Sequence, residues 1–212
     1  MGRKVNPVAL RLGINKDWIS KWFSKGGKYS ALLKEDHNLR DFIAKKYPRG
    51  AVEKILIERN PNLINVIIRS AKPGIIIGRG GKGMEDLKKE LHKIVRTPLR
   101  LEIQEIRNPD AYAKLVADSV AEQLERRMPF RRILKQTAER VSQNREVAGI
   151  RIQIAGRLGG ADMSRREKIS KGKIPLQTLR ANIDFSKATA ITTYGTVGVK
   201  VWLYKNQGEK GE

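Results

Sequence analysis

Pro73-Gly74-Ile75-Ile76-Ile77-Gly78-Arg79-Gly80-Gly81-Lys82 is the stretch on which the fold turns. An apolar run enters it. A helix leaves it, with Met84, Leu87, Leu91, Ile94 and Val95 recurring on one face. Glycines at 78, 80 and 81 let backbone amides approach an anion without an obstructing side chain. The helix N-terminus adds partial positive charge at the same point, and Arg79 and Lys82 add full charges.

RNA-binding KH modules clamp about four nucleotides with a GXXG loop of this kind. Other readings compete. Gly78, Gly80 and Gly83 also match a dinucleotide fingerprint, with Glu102 about 20 residues on. That acid falls in the middle of a strand, where it cannot meet a ribose, and no second nucleotide-binding half follows. A P-loop fails because Ile76 stands at the first glycine position and Gly83 replaces Ser or Thr. A plain Gly-rich turn with incidental charge is the remaining alternative.

Upstream, Tyr29, Leu32, Leu33, Leu39, Phe42 and Ile43 largely follow a helical period, predicting a helix over 28–47 that Pro48-Arg49-Gly50 ends. Strands follow at 52–59 and 63–69, with Asn60-Pro61-Asn62 as the hairpin signal. Downstream, Leu99, Leu101 and Ile103 alternate with Arg100, Glu102 and Gln104, as on a half-buried strand. The order is helix, strand, strand, glycine loop, helix, strand. Asn108-Pro109-Asp110 has the cap, proline and acid of a helix start and marks the expected domain boundary. That helix runs to about 127 and a second spans 129–144. Strands are expected around 150–154, then at 163–171, 180–190 and 196–204, with a glycine turn at 156–160. Two helices on an antiparallel sheet make the second domain α+β. The expected organisation is an arm at 1–27, domains at 28–107 and 108–205, and a frayed tail at 206–212. The arm carries Trp18, Trp22 and Phe23 among scattered cations, and could pack on a core or thread into RNA.

Composition bounds the partner. Lys and Arg number 44 against 22 Asp and Glu, a formal charge of +22. Such an excess implies a polyanion partner and salt-sensitive binding. There is no cysteine, and the histidines are His37 and His92, which excludes zinc fingers and thiol catalysis. No apolar run reaches the ~20 residues of a membrane span, and the N-terminus lacks the apolar core of a signal peptide. The expectation is a cytoplasmic, non-enzymatic protein without metal, cofactor or small-molecule substrate.

The second expected helix of the second domain is strongly basic. On a helical wheel Phe130, Ile133, Leu134, Thr137, Ala138 and Val141 form one face, and Arg131, Arg132 and Lys135 fall on the other. Only Glu139 is a nearby acid. In so basic a chain, the trio is read as facing phosphate rather than merely solvated. Arg157, Arg165, Arg166, Lys168, Lys171 and Lys173 form a further basic stretch, any one of which could equally be solvated.

Several motifs in order resemble the bacterial-type ribosomal small-subunit protein S-three family. They are Met1-Gly2-Arg3-Lys4-Val5-Asn6-Pro7 with Arg11-Leu12-Gly13, the loop at 72–81, Leu115–Arg127, Gly156-Arg157-Leu158-Gly159-Gly160-Ala161, Pro175–Asp184 and Thr192-Thr193-Tyr194-Gly195. The match spans nearly the whole chain. It departs at Ser164-Arg165-Arg166-Glu167-Lys168, where the family usually carries an Ala-Arg-Thr-Glu-Trp-like run. The resemblance implies a type II KH domain, then the family's own α+β domain, in the head of the small (30S) subunit. It implies 16S-type rRNA as partner, and S-ten, S-fourteen and S-two as neighbours. It assigns RNA grip to Gly78, Arg79, Gly80, Gly81 and Lys82. Arg131, Arg132 and Lys135 match positions used on mRNA at the entry channel, where they assist unwinding of structured message. Arg3, Lys4, Arg11, Arg157, Arg165, Arg166, Lys168, Lys171 and Lys173 become candidates for rRNA contact.

Overall fold

The computed structural model describes residues 4–95 and 97–206. The chain divides into two units, Trp18–Arg107, and Met1–Asp17 together with Asn108–Glu212.

The Trp18–Arg107 unit contains β1 (Ser20–Lys21), α1 (Lys28–Lys46), β2 (Val52–Arg59), β3 (Ile64–Ser70), α2 (Pro73–Ile77), α3 (Lys82–Ile94) and β4 (Leu99–Glu105). The sheet order is β1-β2-β3-β4. β2 and β3 are antiparallel, joined at Asn60-Pro61-Asn62, whereas β1 runs parallel to β2 and β4 parallel to β3. Alternation on β3 puts Ile64, Val66 and Ile68 into a core with Leu39 and Ile43 of α1 and Leu87 and Leu91 of α3. Tyr29 and Leu33, expected on the buried stripe of α1, are instead about half exposed. The buried stripe there includes Asp36, not an apolar residue. Its carboxylate accepts from Ser20 Oγ (3.0 Å), Trp22 Nε1 (2.8 Å) and Arg59 Nε (2.7 Å). A buried charge is tolerable when it is paired and hydrogen-bonded in this way.

The second unit contains α4 (Ala113–Glu125), α5 (Phe130–Ser142), β5 (Val147–Gly156), β6 (Arg165–Gly172), β7 (Ile183–Thr192) and β8 (Gly195–Lys205). All its strand pairs are antiparallel, in the order β6-β5-β8-β7. Both helices lie on one face. Ile150, Ile152 and Ile154 of β5 and Val197, Val199, Val201 and Leu203 of β8 meet Val116, Val120, Ile133, Leu134 and Val141 in the core. This is the α+β arrangement expected from the sequence.

The element ends differ from the expectation, with β7 at Ile183–Thr192 rather than 180–190. Pro109–Ala111 is a separate 3-10 turn, and α4 begins only at Ala113. The Asn108 side chain does not cap; its amide donates to the Glu146 carboxylate. The first turn of α4 is capped from β7, with Ala113 N–H donating to Asp184 Oδ2 at 2.9 Å. Nor is Asn206 frayed, since its N–H donates to Glu146 O at 2.9 Å and its side chain to Arg145 O at 2.7 Å. The rest of the expected tail, 207–212, lies outside the described residues.

The expected arm is not one piece, because two buried polar networks tie its parts to different units. Residues 18–27 belong with α1 and β2 through Ser20, Trp22 and Asp36. Residues up to 17 belong to the second unit through Arg11, which is fully buried. Its guanidinium donates to backbone carbonyls of Pro7 (2.9 Å), Leu176 (3.0 Å), Thr178 (2.8 Å) and Ala181 (2.9 Å). Burial lowers its pKa from the usual arginine value. Arg11 is therefore corrected from an RNA candidate to an internal tie. We predict that Arg11→Met costs at least about 3 kcal/mol, since it strands four carbonyls at once. A urea midpoint equal to that of the parent chain would refute this.

Candidate nucleic-acid interface

The glycine loop joins two helices rather than a strand and a helix. Ile75-Ile76-Ile77, read as an apolar run, forms the end of α2, with Ile76 buried and Ile75 and Ile77 facing out. Pro73 starts that helix and Gly78, at φ 70°, stops it. Gly80 (φ 61°) and Gly81 (φ 81°) carry the chain through left-handed backbone into α3, and a side chain added at either would meet open space. Arg79 and Lys82 are exposed beside this turn. The sequence reading missed what Gly83 does. A Cβ there would stand 2.7 Å from Ile76 O, so the two helices touch backbone to backbone. The signal was present as a fourth glycine, read only against nucleotide-binding motifs.

Glu102 sits mid-strand in β4, paired with Ile67, as the case against that fingerprint requires. Among the described residues no group of three or more His, Cys, Asp or Glu stands together as a metal site, and no helix is long and apolar enough to cross a membrane.

On α5 the wheel is realised. Ile133, Leu134, Thr137, Ala138 and Val141 are buried, whereas Arg131, Arg132 and Lys135 are exposed. None of the three is in an ion pair among the described residues, and Arg131 lies over the Phe130 ring at 5.8 Å.

The basic stretch after Gly156 is divided by the pleat of β6. Arg165 and Lys171 share the helix-side face with Ile169, which packs on the core, and Arg166 and Lys168 fall on the opposite face. Arg157 donates to Ala161 O (3.0 Å) and lies 3.4 Å from Asp162, so it braces its own turn while staying partly exposed. Lys173 and Lys4 are exposed, and Arg3 lies outside the described residues.

Register groups Lys168 with cations that the sequence reading did not single out, namely Lys187, Lys200 and Arg151. Across the face of the sheet away from the helices, Lys168 pairs with Gln153, Gln153 with Lys200, and Lys200 with Lys187. One row along stands Arg151, 5.5 Å from the Trp202 ring. No Asp or Glu occupies that face of the four strands. Like charges directly opposite each other are unfavourable unless an outside anion offsets them.

Helix-helix-loop geometry on a mixed sheet in one unit, with a basic α+β fold in the other, defines an RNA-binding KH protein with an appended domain. Comparison with known families makes this specific. A KH domain model matches residues 38–111, and a model described as ribosomal protein S3, C-terminal domain, matches residues 120–203. A small ribosomal subunit protein uS3 of Desulforamulus reducens is 49% identical over 207 residues, covering 98% of this chain and 93% of that protein. Those of Finegoldia magna and Leptospira biflexa are 50% and 48% identical, covering 84% and 90% of their lengths. The chain belongs to the small ribosomal subunit protein uS3 family, and is an RNA-binding, non-enzymatic constituent of the small ribosomal subunit.

Two substitutions probe these surfaces. Gly83→Ala is expected to lower stability by about 1–3 kcal/mol through overpacking at Ile76 O, although alanine suits a helix better; equal melting of variant and parent would contradict it. Lys187→Glu should raise stability by roughly 0.2–1 kcal/mol by pairing with Lys200, and weaken RNA binding. Unchanged or tighter RNA affinity would exclude that face as a phosphate contact.

Proposed function

We propose that this protein meets mRNA at the entry side of the small subunit and helps the translating ribosome open structured message. The observation that carries the reading is the trio Arg131, Arg132 and Lys135, in no ion pair among the described residues and exposed on a helix whose opposite face is locked into the core. A rigid helix holds the cations at fixed spacing, so they grip two separated strands without ordering a flexible loop first. Nothing in this requires nucleotide hydrolysis by the protein itself; translocation supplies the force.

The remaining cations take rRNA in this reading. Lys4, Arg157, Arg165, Arg166, Lys168, Lys171 and Lys173 are candidate contacts to 16S-type rRNA, and Gly78–Lys82 is the loop that grips a sugar-phosphate backbone. S-ten, S-fourteen and S-two are the proposed protein neighbours.

Replacing Arg131, Arg132 and Lys135 together by alanine is expected to leave subunit assembly largely intact and to slow translation through mRNA hairpins. Loss of three phosphate contacts should also flatten the salt dependence of single-stranded RNA binding by roughly 2 in logarithmic slope. Equal translation of structured and unstructured messages by variant ribosomes would exclude the role.

A further inference from the structure

A cavity of about 250 Å³ opens beside the N-terminal end of α5, wholly within the second unit. Leu124, Met128, Leu158 and Val197 give it an apolar lining. Phe130 and Tyr194 add two aromatic rings. Tyr194 is half exposed, and a Cβ on Gly160 would stand 3.2 Å from its ring, so the turn at 158–160 supports the ring closely. The φ of +80° at Gly160 reserves that close approach for glycine.

Guanidinium groups surround this lining. Arg127 and Arg157 border the cavity, and Arg131 and Arg165 lie 5.8 and 5.3 Å from the Phe130 ring. Arg127 is the one non-glycine with positive φ (59°) among the described residues, a conformation imposed where the chain turns from α4 into α5. No Asp or Glu lines the cavity. The site thus offers an apolar slot carrying two aromatic rings and bordered by guanidinium groups, of which Arg157 lies 3.4 Å from Asp162 and Arg165 3.8 Å from Glu167.

That combination selects its occupant. An inorganic anion would satisfy the guanidiniums but leave the apolar lining wet. An aromatic side chain of a protein would fill the slot but bring no negative charge. A nucleobase brings a π-face for the slot and a phosphate on each side for the arginines. We propose that this cavity takes one unstacked base of single-stranded RNA, stacked on Tyr194 or Phe130, with flanking phosphates on Arg127 and Arg157. The proposal deepens the reading that the exposed face of α5 meets RNA, since Arg131 belongs to both.

The test uses the full chain and an oligouridylate octamer carrying 4-thiouridine, photocrosslinked and mapped by mass spectrometry. Crosslinks are expected within 124–130 or 192–197. Tyr194→Ala should lower the yield there about fivefold or more, as loss of one stacking contact implies. Tyr194→Phe should keep it. Tyr194→Leu, which retains bulk without a π-face, should lose it, and an unchanged thermal midpoint for this variant separates stacking from folding. Absence of crosslinks from both segments in the parent chain, or a yield indifferent to both Ala and Leu, overturns the proposal.

In assembled subunits, 4-thiouridine placed only in message or only in rRNA tells which RNA supplies the base. A pocket crosslink from either supports the site, and none from both overturns it. The two readings fail separately. Normal hairpin passage in the triple-alanine variant with a pocket crosslink present removes the unwinding role alone. Impaired passage with no pocket crosslink removes the cavity's role alone.

Discussion

The packing of α5 against one face of the antiparallel sheet is the constraint on which the second unit's surfaces depend. Ile133, Leu134, Thr137, Ala138 and Val141 leave water on that face. Each buried aliphatic side chain contributes roughly 1.5–3 kcal/mol, far more than any exposed cation contributes to folding. The apolar stripe therefore decides the rotation of the helix, and Arg131, Arg132 and Lys135 go where it sends them. The same packing sets the start of α5 next to the turn at 158–160, which creates the cavity. It also leaves the other sheet face uncovered by helix, where Lys168, Lys187 and Lys200 stand.

A chain of charge +22 has few carboxylates, and several are used inside. Asp36 holds Ser20, Trp22 and Arg59 together. Asp184 caps α4, and buried Asp118 accepts from Lys114 at 3.0 Å. Arg11, by contrast, is buried with backbone carbonyls as its partners. Carboxylates placed inside the fold are absent from the outer surfaces, so those surfaces keep their positive potential for RNA. Folding and binding thus draw on the same scarce group, and its placement serves both.

Much of this was legible beforehand, because the relevant signals are local. Alternation on β4, the period of α5 and the glycine loop depend on neighbours a few residues apart. The illegible parts depend on distant partners. Arg11 reads like any other arginine of a basic N-terminus until residues 176–181 fold around it. Asn108 reads like a helix cap until Glu146 takes its amide and Asp184 caps the helix instead. Asp36 interrupts an apolar stripe for a reason that lies in Trp22 and Arg59.

By itself the sequence determined the α+β class, the KH-like glycine loop ahead of a helix, the polyanion partner and the outward direction of the α5 cations. Each follows from composition or from periodicity within one element. Only the tertiary structure decided which cations are available to a ligand. Burial removed Arg11, the pleat of β6 sent its cations to two faces, and cross-strand register joined Lys168, Lys187 and Lys200 in one row. A residue's charge is written in its name, but its exposure and its neighbours are set by pairings up to 170 positions away.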